Sequence, residues 1–240
     1  MIQSGAARIT SQLHTPAVPT NLAPYIDHTL LKPEVSLEDL KKICQEAKQF
    51  NFKSVCVNPD NVAFCARELK DTSVGVTAVI GFPLGATTSR VKAFETDEAL
   101  NKGASEIDMV INVGALKDKD YAAVLEDIQQ VVRAAHGKIV KVILETGLLN
   151  ETQKIVGCAL AKAAGAHFVK TSTGFGKGGA TLDDIQLMRQ VVGGEMGVKA
   201  SGGIRDTETA LKMISAGATR IGASASVAIV KGESAPGTGY

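Results

Sequence analysis

At 240 residues, with 45% hydrophobic and 21% charged side chains, the chain can form one large domain with its own core, and single α/β barrels commonly reach about 250 residues. Twenty-six basic residues against twenty-five acidic ones leave a net charge of +1, which removes any whole-molecule electrostatic case for nucleic acid or an anionic membrane and leaves room only for a local anion site. No run approaches the roughly 20 apolar residues needed to span a bilayer, the longest candidate, VTAVIGFPLGA, being broken by Gly and Pro.

The first 24 residues hold no acidic side chain and no apolar run of the secretory kind, and residues 1–21 read as an accessory N-terminal helix or arm. From residue 25 onward, short apolar runs alternate with amphipathic ones. Tyr25–His28 reads as a first strand, followed by a helix in SLEDLKKICQEAKQF, which opens on a Ser-x-Glu/Asp start at Ser36 and sets Leu37, Leu40, Ile43, Cys44 and Ala47 on one face. Lys53–Val57 and the helix in NPDNVAFCARELK come next, then Gly75–Gly81 with SRVKAFETDEALNKGA, and Glu106–Ile111 with YAAVLEDIQQVVRAAHG. Val140–Glu145 precedes ETQKIVGCALAKAAGA, His167–Lys170 precedes TLDDIQLMRQVVGGE, and Gly197–Ala200 precedes DTETALKMISAGA. Several of these helices close on a glycine. Arg220–Gly222 is the eighth strand, with a short last helix from Ser224 and a flexible tail, GESAPGTGY, over 232–240.

Strands apolar on both faces that alternate strictly with helices imply a parallel sheet covered on both sides. Eight such units predict an α/β fold of the (β/α)8 TIM-barrel type over residues 22–231, with an open doubly wound sheet as the alternative. No GxGxxG follows the first strand and no GxxxxGK[ST] occurs, which counts against a dinucleotide or nucleoside-triphosphate fold. The cysteines, Cys44, Cys56, Cys65 and Cys158, form no CxxC pair and read as reduced thiols of a cytosolic protein; no metal site is indicated.

In such a barrel the chemistry gathers at the carboxyl ends of the strands. Lys170 and Lys199 end the sixth and seventh strands, so both ammonium groups, if they point inward, share one small space. Burial and a like charge each lower a lysine pKa, and a lysine so treated is an amine nucleophile fit to form a Schiff base. The alternative is that they reach solvent or pair with carboxylates. Asp108, within EIDMVIN, can serve the lysine pair and move protons, or neutralise Lys141, which lies near the start of its strand and has Glu145 or Asp108 within sequence reach. Asp27 either joins the site or caps a turn with Thr29. Separately, SGGIRD after the seventh strand and IGAS after the eighth offer backbone amides and helix starts near Asp206 and Ser224 to an anion, with Lys177 and Arg205 as added charge. Of the histidines only His28 lies near a strand end, and none has the spacing of a metal pair.

The blocks IDHTLLKP, SVCVNP, VIGFPLGA, EIDMVINVGAL, KVILETGLL, FVKTSTGFG, VKASGGIR and RIGAS occur in that order. Together they resemble the deoxyribose-phosphate aldolases over about residues 22 to 230. The resemblance implies a class I aldolase with no metal or other cofactor, acting on a phosphosugar and aldehydes in the cytoplasm as a homodimer or homotetramer. It implies Lys170 as the Schiff-base lysine, Lys199 as the lysine that perturbs it, and Asp108 in the proton relay. Gly202, Gly203, Gly222 and Ser224 would hold the 5-phosphate with Lys177 near them, Asp27, Thr29, Cys56 and Thr171 would surround the sugar or the lysines, and the terminal Tyr240 would visit the site.

Overall fold

The computed structural model describes residues 19–235; most of the N-terminal arm, and the tail end with Tyr240, lie outside the described residues. Among the described residues eight strands and nine α-helices run in the order β1 (Ile26–Leu30), α1 (Leu37–Phe50), β2 (Ser54–Val57), α2 (Val62–Glu68), β3 (Gly75–Ile80), α3 (Ser89–Asn101), β4 (Glu106–Val110), α4 (Val113–Lys117), α5 (Tyr121–Ala134), β5 (Ile139–Ile143), α6 (Glu151–Ala163), β6 (Phe168–Lys170), α7 (Leu182–Val192), β7 (Gly197–Ser201), α8 (Thr207–Ser215), β8 (Arg220–Ala223) and α9 (Ser226–Lys231). The strands pair in parallel, in sequence order, and β8 closes on β1. Among the described residues no helix is long and apolar enough to cross a membrane.

The local reasons are those the pattern suggested. Ser36 caps α1, accepting from the Asp39 amide at 3.2 Å while Asp39 accepts from the Ser36 amide at 3.0 Å, a reciprocal arrangement that satisfies two otherwise orphaned donors. Leu40, Ile43, Cys44 and Ala47 then face the sheet, whereas Leu37 stays 63% exposed. Each strand sends alternate residues to the helices and to the barrel interior, so a two-residue rhythm decides which side chains meet at the axis.

Helix α3 departs from the apolar-stripe rule. Its buried residues are Lys92, Thr96 and Ala99, while Phe94 is 70% and Val91 51% exposed. Lys92 donates to Asp127 Oδ2 on α5 at 2.6 Å and to the carbonyl of Val110 at the end of β4 at 2.9 Å. Burial pulls the Lys92 pKa below its usual value against the pull of Asp127, so the pair joins three elements at a desolvation cost. Lys92→Met is expected to destabilise the fold by about 3–5 kcal/mol, because it leaves the Asp127 charge buried and unpaired. Lys92→Met/Asp127→Leu is expected to recover most of that loss, as chemical denaturation of both variants would measure.

Two features differ from the sequence reading, an added helix and the start of the last one. The short α4 adds a helix that was not expected. Helix α8 starts where expected, at Thr207 with Asp206 as its cap accepting from the Thr209 amide at 2.7 Å. The last helix starts at Ser226, not Ser224, and has six residues. Asp206 already sets a carboxylate on the first of these helix starts, and the second helix is too short to sum much of a dipole, so an anion there would rest on the backbone amides of the turns.

Candidate active site

Strand register sets Lys170 beside Lys199, Lys199 beside Arg220 and Asp108 beside Lys141. All project to the barrel axis, where they are almost fully buried; Lys170 is 2% exposed and Asp108 and Lys199 are 0%. Lys170 Nζ and Lys199 Nζ each lie 2.8 Å from the same oxygen, Asp108 Oδ2. Asp108 Oδ1 accepts from Lys141 Nζ at 2.7 Å. Asp108 is therefore an ion-pair partner of both sets at once, one oxygen contacting the upper lysines and the other the lower one.

A second layer sits beneath. Asp27 pairs with Lys199 at 2.5 Å and with Arg220 at 2.8 Å and accepts from the Ser54 hydroxyl at 2.7 Å. Glu106 pairs with Lys141 at 2.6 Å and Arg220 at 2.9 Å. Asp27 is thus a member of the ion network and does not cap a turn; Thr29 turns its hydroxyl to the Asp27 carbonyl, 2.9 Å away. Glu145, offered as a partner for Lys141, instead follows β5 in a left-handed conformation (φ 56°), and its carboxylate accepts from the amide and hydroxyl of Thr173, tying down the loop after β6.

The network holds four cations (Lys141, Lys170, Lys199, Arg220) and three carboxylates (Asp27, Glu106, Asp108). Burial alone would raise Asp27 and Asp108, but the surrounding cations hold both carboxyls well below the usual range. The expectation that burial and a like charge depress both lysines is corrected for Lys199: burial lowers it, but Asp108 and Asp27 together push its pKa above the usual lysine value. Lys199 is a fixed cation.

The remaining expected residues fall around this centre. Cys56 is buried at the end of β2, its thiol pushed up by burial and within electrostatic reach of Lys199, Asp108 and Lys170. Thr171 locks the ends of β6 and β7 together, its hydroxyl donating to the Ser201 carbonyl at 2.9 Å and accepting from the Ser201 amide at 3.0 Å. Gly202 and Gly203, both at positive φ (93° and 80°), turn the chain after β7 in a way side chains resist. Gly222 lies within β8 against Lys199 Cε, where even a Cβ would come within 2.9 Å. Ser224 follows β8 and is exposed, as is Lys177 in the loop after β6.

Sequence reasoning missed Glu106 and Arg220. The signal was present, since each stands two residues before an inward-facing position, Asp108 and Gly222. The hydroxyls of Thr146, Ser172 and Ser201, polar residues that the barrel reading also places at strand ends, are buried there and have no hydrogen-bond partner among the described residues. Unsatisfied buried hydroxyls are costly, so three at one barrel end mark places where a polar ligand would complete the bonding.

Residues 22–235 match the family model described as DeoC/LacD family aldolase. A deoxyribose-phosphate aldolase of Streptococcus sanguinis is 62% identical over 216 residues, covering 90% of this chain and 98% of that protein. One of Alkaliphilus oremlandii is 60% identical over 221 residues, covering 92% of this chain and 100% of its own. Among solved structures, the tetrameric deoxyribose phosphate aldolase of Aeropyrum pernix superposes with a TM-score of 0.82 at 33% identity, over 88% of this chain and 89% of that one. With a barrel that carries two lysines on one carboxylate, similarity of this extent has a single outcome: the chain belongs to the DeoC/LacD family of aldolases.

Proposed function

We propose that the chain, with residues 22–231 as its one barrel domain, reversibly cleaves 2-deoxy-D-ribose 5-phosphate to acetaldehyde and D-glyceraldehyde 3-phosphate through a Schiff base on Lys170. The observation that carries this is the charge count at the axis. Four cations face three carboxylates, so one positive charge is uncompensated. Lys141, Lys199 and Arg220 each contact two carboxylates within 3.0 Å, whereas Lys170 contacts Asp108 alone and shares that oxygen with Lys199. Lys170 is therefore, among the described residues, the amine of this network held by the fewest carboxylates, and an amine is the nucleophile that Schiff-base chemistry needs.

Its nitrogen attacks C1 of the open-chain sugar. The ammonium of Lys199 protonates the carbinolamine oxygen as it leaves as water, and Asp108, in contact with both lysines, passes protons between them. The resulting iminium draws electrons from the C2–C3 bond once the C3 hydroxyl proton is removed. Glyceraldehyde 3-phosphate departs, the enamine is protonated at C2, and hydrolysis releases acetaldehyde and regenerates Lys170. The turns at Gly202–Gly203 and Ser224 would hold the phosphate. Thr29, Cys56, Thr171 and the unpartnered hydroxyls of Ser172 and Ser201 would meet the sugar. Lys177 and Tyr240 would add contacts from outside.

Incubation with acetaldehyde and a borohydride reductant should add a two-carbon adduct to Lys170, read by peptide mass mapping. An unmodified Lys170, or an adduct confined to Lys199, would refute the assignment. The same reading makes the protein a cytoplasmic enzyme that self-associates as a homodimer or homotetramer. Exposed apolar side chains at Leu84, Val91 and Phe94 on and before α3 support such association.

A further inference from the structure

Outside the barrel interior, β1 sends His28 between α1 and α9, where it is 5% exposed and packs on the Phe52 ring at 5.1 Å between centroids. Its Nε2 lies 2.7 Å from Glu46 Oε2 on α1, and its Nδ1 lies 3.0 Å from the Oγ of Ser226, the first residue of α9. Ser226 Oγ in turn lies 2.8 Å from the carbonyl oxygen of Ala223, the β8 residue in register with His28.

These three contacts in series connect two groups that only accept, a carboxylate at one end and a carbonyl at the other. For all three to be hydrogen bonds, protons are needed on Nε2, Nδ1 and Oγ. A neutral imidazole supplies one and the hydroxyl another, so one contact would set lone pair against lone pair. The full set of bonds corresponds to an imidazolium beside a Glu46 carboxylate. In agreement, the His28 N–H holds the Glu46 carboxyl below its usual value. The other groups facing the ring do not change this count. On α1, Lys42 lies 4.0 Å from Glu46; on α9, Lys231 acts on Glu46; and β2 and β8 present Val55 and Ala223 in register, neither of which titrates.

The Ser226–Ala223 bond closes the turn that contains Ser224. If His28 loses a proton, the single Ser226 hydrogen must serve either His28 or Ala223, and the turn loses one tie. We propose that His28 is a positioning residue for the substrate's 5-phosphate: as an imidazolium anchored on Glu46, it holds Ser226, and through it the turn that presents Ser224 to the phosphate. This rests on the phosphate-site reading above.

The test compares deoxyribose 5-phosphate with unphosphorylated 2-deoxyribose in the Ser226→Ala and His28→Phe variants. KM for the phosphorylated substrate should rise about tenfold, the scale of one lost hydrogen bond, while kcat stays within about twofold and 2-deoxyribose kinetics do not change. An equal effect on both substrates, or none on either, overturns the inference. If the unmodified enzyme does not distinguish the two substrates, the phosphate-site reading itself has failed and this inference falls with it. Should His28→Phe fold poorly, nitrogen NMR of the unmodified protein still decides. Inorganic phosphate should shift the His28 ring-nitrogen resonances through Ser226, and Ser226→Ala should abolish that response; no response to phosphate in the unmodified protein, or one that survives Ser226→Ala, overturns it.

Discussion

Lys170→Leu is expected to lower kcat/KM for 2-deoxyribose 5-phosphate by about 10⁴-fold or more, because the iminium that draws electrons from the C2–C3 bond can no longer form. The fold should survive. Removal of Lys170 leaves three cations against three carboxylates, and Asp108 keeps Lys141 on one oxygen and Lys199 on the other. Steady-state kinetics beside a thermal melt would check both halves of this expectation. Substantial residual turnover in a folded variant would mean that the amine nucleophile lies elsewhere.

The second large effect concerns Lys199. Lys199→Leu also leaves three cations and three carboxylates, but now Lys170 is the ion that balances Asp108. In the unmodified protein the two amines share one carboxylate oxygen, so the loss of Lys199 removes both a fixed positive charge and a proton donor from beside the nucleophile. At neutral pH kcat/KM should fall on the order of 10²-fold or more. Measurement of kcat/KM between pH 6 and 10 separates two roles: recovery at alkaline pH marks an electrostatic part for Lys199, whereas a uniform loss marks a proton donor only.

The two predictions differ in sign of cause although both remove a lysine. Lys170 is lost as a reactant, and Lys199 is lost as a charge. Burial and like charge, read from residue types alone, treat the two as alike, and only the family resemblance implied separate roles. That symmetry fails because Asp27 lies 2.5 Å from Lys199, and the only ion pair of Lys170 among the described residues is with Asp108.

Much of the barrel was readable in the chain itself. Eight apolar runs with amphipathic stretches between them carry their own periodicities of two and 3.6, and every one became a strand within about two residues of its expected bounds. Lys170, Lys199 and Asp108 were readable as candidates because they interrupt those runs, where an unpaired charge has no local excuse. Helix α3 shows where such reading stops. Lys92 looks like a surface residue in SRVKAFETDEAL and is buried, because Asp127, 35 positions away, accepts its charge.

The same holds at the axis. Asp108 meets Lys170 across 62 positions and Lys199 across 91, and Arg220 meets Asp27 across 193. Residue types and strand order follow from local pattern, because backbone geometry and burial act over a few residues. Which lysine remains a cation and which is free to react depends on distances of a few ångströms between strands remote in the chain, and Coulomb interactions at that range exist only once the barrel has closed.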